Sequence, residues 1–116
     1  METIQAQQQV DRLTQRRDQI TKTLHYINKE QSQVERNTEW LDQAAHDSRV
    51  QLLDRLSRWY KSEIEEIEKA LERIADRSYG TCAACHREID RARIESVPEA
   101  AYCSDCQAFR ESISAN

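Results

Sequence analysis

The chain has 116 residues, of which 38% are hydrophobic and 33% are charged, and its net charge is −4. So little apolar material excludes a thick globular core. It indicates two helices with a narrow apolar contact, joined to a small module that a metal ion stabilises. The mildly acidic balance argues against direct, sequence-specific DNA binding, which requires a basic face. No apolar run approaches the length of a membrane span, so no membrane association is predicted.

The first two thirds of the chain have the composition of long helices. Residues 1–79 contain neither glycine nor proline, because the single glycine is Gly80 and the single proline is Pro98. Two apolar stripes follow each other along this region. The first has a spacing of seven and the second a spacing of three and four, and their members are Leu13, Ile20, Ile27, Val34 and Leu41, then Leu53, Leu56, Tyr60, Ile64, Ile67, Leu71 and Ile74. Such stripes predict two helices that pack against each other.

We therefore predict an antiparallel coiled-coil hairpin over residues 1–79, with its tip near residues 37–48. The first helix is expected to cover residues 3–36, roughly 50 Å at 1.5 Å per residue. Asn37 and Thr38 suit the turn, because asparagine tolerates left-handed geometry and threonine can cap the following helix. The alternative is a single uninterrupted helix that forms a parallel dimer.

Two further expectations concern the end of the chain. Gly80, directly after the second stripe, is expected to form the C-terminal cap of the second helix. Residues 104–114 have the composition of another helix, and its Ala108, Phe109 and Ile113 are expected to pack on the preceding module.

All four cysteines fall in two CxxC pairs, Cys82 with Cys85 and Cys103 with Cys106, which are separated by seventeen residues. This is the spacing of a four-cysteine zinc site. Each pair presents two thiolates about 2.3 Å from one metal ion, and two pairs complete a tetrahedron. Because cysteines then occupy every coordination position, the Zn²⁺ is predicted to be structural rather than catalytic. His86 is interpreted as a neighbour of the site and not as a ligand.

The four cysteines have two other conceivable uses. Two disulfides would suit a small secreted domain, but no segment resembles a signal peptide. A redox-active CxxC pair would be expected in a βαβ context, which this sequence lacks. Reduced cysteines without a targeting segment predict a cytoplasmic protein. The predicted fold class is all-α, with residues 80–116 forming a four-cysteine zinc finger and a C-terminal helix beside the hairpin.

The finger sequence is specific enough to suggest a family. A long helical region leads into Ser-Tyr-Gly-Thr-Cys82-Ala-Ala-Cys85, followed by Glu88-Ile89, Arg91, Arg93-Ile94, Pro98 and Cys103-Ser-Asp-Cys106. This pattern resembles the DksA/TraR family of bacterial transcription factors, of which the chain would be a short member. The resemblance implies direct binding to bacterial RNA polymerase rather than to DNA. It also implies that the hairpin enters the secondary channel, the pore that leads nucleotides to the active site, and alters open-complex stability.

The same resemblance implies an acidic tip. The family's tip motif, Asp-x-x-Asp-x-Ala, is similar to Glu39-Trp40-Leu41-Asp42-Gln43-Ala44. Asp42 and Ala44 match, and Glu39 keeps the charge with one more methylene group. Glu39 and Asp42 are expected to be the effector carboxylates, with Trp40 and Ala44 as neighbouring contacts. The alternative is that both carboxylates only complement the dipole at the start of the second helix.

The sequence also departs from longer family members, because it begins where their hairpin begins. By a rough alignment, it has Glu66, Val97 and Gln107 where those members place basic residues for the alarmone guanosine tetraphosphate, so dependence on this nucleotide is not expected. The protein is expected to be a monomer. It is not expected to be an enzyme, because the sequence offers no nucleophile–base pair and no open metal site.

Two other functions are alternatives to regulation of initiation. A coiled-coil and zinc-finger adaptor would dock another protein and would have no affinity for the polymerase. A transcript-cleavage factor would also use an acidic tip in the secondary channel, to stimulate the nuclease of the polymerase itself. The zinc finger favours the initiation regulator over the cleavage factor, because the resemblance lies with the zinc family.

Overall fold

The computed structural model describes residues 3–36 and 42–114. Four helices account for most of this part of the chain: α1 (Thr3–Arg36), α2 (Gln43–Ala75), α3 (Arg91–Ser96) and α4 (Ser104–Ser114). Extended pairing in the described ranges is limited to one isolated antiparallel bridge, between Thr81 and Glu88. The all-α fold class is confirmed, with two separate helices in place of one uninterrupted helix. None of the described helices is long and apolar enough to cross a membrane.

The chain packs as two compact units. One, here called the hairpin unit, is Arg16–Glu65. The other, here called the finger unit, combines Met1–Gln15 with Glu66–Asn116. The finger unit therefore contains the start of α1, the end of α2, all four cysteines and both short helices.

The hairpin unit is held by a narrow apolar seam. Ile27 and Val34 of α1 are buried against Leu53 of α2, with Leu56 and Tyr60 packed against this cluster. The two predicted stripes are the source of these side chains, because a spacing of three, four or seven residues keeps them on one helical face. Outside the seam, Tyr26 and Trp59 are more than half exposed.

Two ion pairs show the direction of the helices in this unit. Arg16 pairs with Glu63 at 3.4 Å, and Glu30 pairs with Arg49 at 2.8 Å. Early α1 thus meets late α2, and late α1 meets early α2, which makes the helices antiparallel as predicted. Partly exposed pairs of this kind contribute about 0.2–1 kcal/mol each. They therefore fix the register of α1 against α2 more than they stabilise the hairpin unit.

The finger unit buries a larger set of side chains: Leu13, Ile67, Ala70, Tyr79, Cys82, Ile89, Ile94 and Ala100. Within it the Tyr79 hydroxyl donates to the carbonyl oxygen of Pro98 at 2.7 Å. Burial raises the pKa of Tyr79, although Arg12 and Arg73 act in the opposite direction. Tyr79 therefore stays a neutral donor that ties the end of α2 to the loop before Cys103.

Three arginines also connect the segments of the finger unit by donating to main-chain carbonyl oxygens. The bonds run from Arg12 to Glu95 at 2.7 Å, from Arg73 to Glu99 at 3.2 Å and Ala100 at 3.3 Å, and from Arg93 to Tyr102 at 3.0 Å. Hydrogen bonds from a charged donor are stronger than neutral ones. These contacts fix residues 95–102 through their main chain.

The C-terminal cap of α2 differs from the prediction. The N–H of Ser78 donates to the carbonyl of Arg73 at 2.9 Å, and the N–H of Arg77 donates to the carbonyl of Ile74 at 3.3 Å. This is the Schellman pattern, and its left-handed residue is Arg77, with φ 68°. Asp76 reinforces the cap, because its carboxylate accepts from both the hydroxyl and the N–H of Ser78, and this lowers the pKa of Asp76.

The expectation that Gly80 caps α2 is therefore wrong. Gly80 has φ 88° and lies in the next turn, which the N–H of Thr81 closes by donating to the carbonyl of Ser78 at 3.2 Å. A positive φ at the third position of a turn favours glycine. Helix termination and entry into the finger thus use two left-handed positions, Arg77 and Gly80, and only the second carries glycine.

Helix α4 is less embedded than predicted. It contains no buried residue, and Phe109 and Ile113 are 66% and 59% exposed, so the expected packing of these two side chains is wrong. One contact that holds α4 is polar: the Arg110 guanidinium lies 4.3 Å from the centre of the Tyr102 ring. Cation–π contacts of this kind contribute about 0.5–1 kcal/mol at exposed sites.

Candidate metal centre and hairpin tip

The two CxxC pairs meet in the finger unit. One sulfur from each of Cys82, Cys85, Cys103 and Cys106 lies within 4.8 Å of all the others, and this is the metal-capable group of the described residues. Cys82 is buried, Cys103 and Cys106 are half-buried, and Cys85 is exposed. None of the four is in a disulfide. The site therefore offers four thiols from two short segments that are distant in sequence.

The distances suit a tetrahedral zinc ion. Sulfurs about 2.3 Å from a central Zn²⁺ lie about 3.8 Å from each other. The Sγ atoms of Cys85 and Cys103, one from each pair, are 3.8 Å apart. Four thiolates are a soft ligand set, which Zn²⁺ accepts in closed structural sites. Geometry and ligand chemistry both fit Zn²⁺ as the cofactor.

Main-chain hydrogen bonds shape the first cysteine pair. The N–H of Cys85 donates to the Cys82 sulfur at 3.5 Å, and the N–H of Cys82 donates to the carbonyl of Arg87 at 2.8 Å. A further bond, from the N–H of Ala83 to the carbonyl of Ala101 at 2.8 Å, joins this turn to the segment before the second pair. These main-chain bonds thus link the turn that carries the first pair to the segment that leads into the second pair.

The second pair is presented by α4. Cys103 directly precedes the helix and Cys106 lies in its first turn. The N–H of Gln107 donates to the carbonyl of Cys103 at 2.9 Å. A helical turn places residues three apart on the same face, so both sulfurs point to one centre.

The thiols differ in acidity when no metal is present. Burial raises the pKa of Cys82, but backbone hydrogen bonds from Cys85, Cys103 and Ala84 outweigh burial and bring it down to about 6. Cys106 shows the opposite behaviour. Hydrogen bonds with the Cys103 and Cys82 thiols raise its pKa to about 12. Cys82 is accordingly more ready to bind a cation at neutral pH than Cys106, which must lose a proton first.

His86 stands apart from this cluster. It is exposed, it has φ 62°, and it is not among the grouped ligand atoms of the described chain. The structure thus agrees with its interpretation as a neighbour rather than a ligand.

The predicted tip is only partly within the described residues. Glu39 and Trp40 lie outside them. Asp42 is exposed and directly precedes α2, and Ala44 is exposed in the first turn of that helix. Sequence and structure therefore agree that Asp42 and Ala44 lie at the start of the second helix.

Asp42 is also the cap of α2. Its Oδ1 accepts from the N–H of Ala45 at 3.2 Å, which satisfies one of the free donors at the helix start. The sequence interpretation considered an effect on the helix dipole but missed this specific bond. An aspartate directly before a helical run is itself the signal that could have indicated it.

A helical hairpin joined to a four-thiol finger defines a class of small helical zinc-finger proteins. Comparison with family models narrows this class. The prokaryotic dksA/traR C4-type zinc finger matches residues 77–112, and the DnaK suppressor protein-like N-terminal domain matches residues 10–74. The chain belongs to the DksA/TraR family.

Individual relatives agree with this assignment. The RNA polymerase-binding transcription factor DksA of Escherichia coli is 30% identical over 84% of this chain, and the alignment covers 62% of that protein. An uncharacterised protein of Aquifex aeolicus is 33% identical over 70% of this chain and 60% of its own length. The chain thus spans less than two thirds of the length of these relatives.

A solved structure confirms the fold. The structure of transcription factor DksA2 from Pseudomonas aeruginosa matches with a TM-score of 0.85. The match covers 99% of this chain and 89% of that one, at 24% sequence identity.

Proposed function

We propose that this protein is a zinc-stabilised regulator of bacterial transcription that binds RNA polymerase through its secondary channel and modulates initiation with an acidic hairpin tip. The observation that carries the proposal is the match of both halves of the chain, residues 10–74 and 77–112, to the two family models. The name of the E. coli relative, an RNA polymerase-binding transcription factor, supplies the partner.

In this proposal Cys82, Cys85, Cys103 and Cys106 are the four zinc ligands. Zinc supplies cross-linking and no reaction chemistry, because a closed four-thiolate site leaves no coordination position for a substrate. Metal binding is coupled to the folding of the finger unit. The protein acts as a cytoplasmic, monomeric, non-catalytic regulator.

The effector part is the segment between the helices. Asp42 is exposed there and presents its carboxylate to the partner. A carboxylate can contact basic elements of the polymerase or perturb the catalytic Mg²⁺ region. Glu39 adds a second carboxylate in this proposal, and Trp40 and Ala44 provide neighbouring contacts.

Guanosine tetraphosphate is not part of this mechanism. By the rough alignment given above, Glu66, Val97 and Gln107 stand where longer family members have basic residues, and none of the three can neutralise a phosphate. Titration of the nucleotide into the complex with polymerase, read out by transcription, tests this point. A large synergistic effect would contradict it.

Binding to bacterial core RNA polymerase is the main test, in competition with a known secondary-channel factor. The wild type is expected to bind and to be displaced. Asp42→Asn is expected to bind with little change but to lose the effect on transcription, because asparagine keeps the helix cap and removes the charge. Asp47→Asn is the matched control, since Asp47 lies nearby in the first turns of α2 and, among the described residues, its carboxylate accepts only from the Gln43 side chain, at 2.9 Å.

The outcomes separate the candidate functions. A wild-type protein that does not bind the polymerase, or that is a dimer in solution, would favour the adaptor function. An effect of Asp42→Asn no larger than that of Asp47→Asn would remove Asp42 from the effector site. Stimulated cleavage in stalled complexes would indicate the transcript-cleavage function.

A further inference from the structure

A polar cleft of about 620 Å³ opens on the finger unit. Gln8 and Gln9 of α1 form one wall, and α3 and the segment around the Thr81–Glu88 bridge form the others. Its volume lies within the range of about 300–1,000 Å³ that is usual for ligand sites. None of the four cysteines is among the described residues that line it, so the cleft is distinct from the metal centre.

Two residues that line this cleft have an unusual backbone. Arg77, with φ 68°, and His86, with φ 62°, are the non-glycine residues with positive φ in the described chain. Glycine adopts this conformation without strain, whereas other residues lose about 1 kcal/mol. The backbone roles, a helix cap at Arg77 and the exit from the first cysteine pair at His86, would be met by glycine. What the two side chains add is a cation and a hydrogen-bonding ring at the cleft.

The charged side chains of the cleft are not used inside the protein. The side chains of Arg77 and Arg91 make no hydrogen bond or ion pair with any described residue, whereas the side chains of Arg12, Arg73 and Arg93 in the same unit each donate to main-chain carbonyls. Arg77, Arg87 and Arg91 of the finger unit thus keep side chains that no described residue pairs with. Two of these three, Arg77 and Arg91, line the cleft.

The cleft also contains negative charge, and this defines the ligand. Glu88 and Glu95 line it together with Arg77 and Arg91, so the four formal charges cancel. A polyphosphate or a nucleic acid would face two carboxylates in such a site. A polypeptide with acidic and basic side chains can pair with both signs, and the amides of Gln8 and Gln9 and the hydroxyl of Thr81 can bond its backbone.

We infer that this cleft is a second docking surface, which takes a mixed-charge segment of the partner polypeptide. The inference rests on the proposed function, because the partner is then the RNA polymerase. Arg77 and Arg91 pair with carboxylates of the segment, and Glu88 pairs with a basic side chain. The surface belongs to the finger unit and acts in addition to Asp42 at the hairpin tip.

The test compares the affinities of three variants for bacterial core RNA polymerase. In the first, Arg77→Gly is combined with Arg91→Gln, since glycine suits the left-handed position and preserves the cap. We expect this variant to bind about tenfold more weakly than the wild type, because two charge-assisted contacts are lost. The matched control combines Arg87→Gln with Lys69→Gln, which removes two positive charges of the same unit outside the cleft, and it is expected to bind like the wild type.

The third variant, Glu88→Gln, identifies the class of ligand. A mixed-charge polypeptide predicts weaker binding, and a purely anionic ligand predicts tighter binding, which would overturn the inference. Unchanged affinity of the arginine variant, or an equal loss in the control, would also overturn it while leaving the proposed function intact. No binding by the wild type would overturn the proposed function and, with it, the partner named here. Zinc content and thermal unfolding of each variant show that the fold is kept.

Discussion

Asp42 combines a structural and a charged role in one side chain, and substitutions can separate the two. Its Oδ1 caps α2 through the N–H of Ala45. Asp42→Ala is expected to lower the free energy of unfolding by about 1 kcal/mol, whereas Asp42→Asn should leave it unchanged, because asparagine caps equally well. Denaturant unfolding followed by circular dichroism measures both values.

Asp47→Ala is the control for this comparison. Within residues 3–36 and 42–114 its carboxylate accepts only from the exposed Gln43 side chain, so the change should stay within about 0.5 kcal/mol. Equal losses for Asp42→Ala and Asp47→Ala would show that the cap contributes nothing specific.

The acidities of the thiols predict how zinc affinity depends on pH. The metal binds thiolates, so protons compete with it. Because hydrogen bonds with neighbouring thiols raise the pKa of Cys106 to about 12, this residue releases a proton on metal binding throughout the neutral range. Affinity should therefore rise at least about tenfold per pH unit between about pH 6 and pH 8.

Cys82 adds to this dependence only at low pH. Its pKa is about 6, so it becomes mostly protonated below that value and the fall in affinity should steepen there. Competition with a chelator of known affinity at several pH values measures the slope. A flat profile between pH 6 and 8 would contradict the proton release assigned to Cys106.

At the scale of the elements, the residue that ends α2 has a backbone conformation that favours glycine but carries an arginine side chain. Arg77 occupies a left-handed position that favours glycine. Arg77→Gly is expected to stabilise the finger unit by up to about 1 kcal/mol, less the entropy that glycine adds to the unfolded chain. With the cleft as a docking surface, Arg77→Gly raises the stability of the protein and lowers its affinity for the partner.

Arg87→Gly serves as the control for this prediction. Arg87 is exposed and has no positive φ, so glycine there brings only the entropic loss and should destabilise slightly. Thermal unfolding with zinc in excess compares the two variants. A loss of stability in Arg77→Gly as large as in Arg87→Gly would show that the left-handed arginine is not strained.

The helices themselves could be predicted from the sequence because apolar spacing is a local signal. Leu13, Ile27 and Val34 are buried where the spacing of seven places them. The C-terminal cap of α2 could not be predicted in the same way, because nothing in the sequence marks an arginine as left-handed. Gly80 was the residue that ordinary capping preferences indicate. The exposed face of α4 was also missed, since the apolar spacing of Phe109 and Ile113 does not show whether another element covers them.

At the scale of the whole molecule, the two units depend differently on zinc. The hairpin unit has its own seam of Ile27, Val34 and Leu53 and contains no cysteine. The core of the finger unit includes Cys82 itself. Removing zinc, or replacing Cys85 by serine, should therefore loosen the finger unit and leave the hairpin unit largely folded.

Hydrogen exchange of backbone amides tests this difference. Protection is expected to fall in residues 79–114 and to persist in residues 20–34 and 50–64. Adding zinc back to the chelated wild type should restore the lost protection, but it should not do so in Cys85→Ser. A uniform loss across both units would mean that the seam of the hairpin unit is not stable alone.

The two candidate sites were unequally accessible to sequence reasoning. The metal centre depends on short, regular spacings, so the four cysteines could be named in advance. The cleft depends on the finger unit as a whole, because Gln8 and Arg91 come from parts of the chain that are far apart in sequence. Only the folded structure brings them together with two left-handed residues that no local pattern indicates.

The unequal exposure of the four sulfurs affects the rate of metal loss rather than the metal affinity. Cys82 is buried while Cys85 is exposed, so a competing chelator or a thiol-reactive electrophile meets the Cys85 sulfur first. Metal loss should then begin at one defined bond, and its rate should depend on access to that single atom. The lifetime of the loaded protein would be set by the most exposed of its four ligands, however tightly the other three are held.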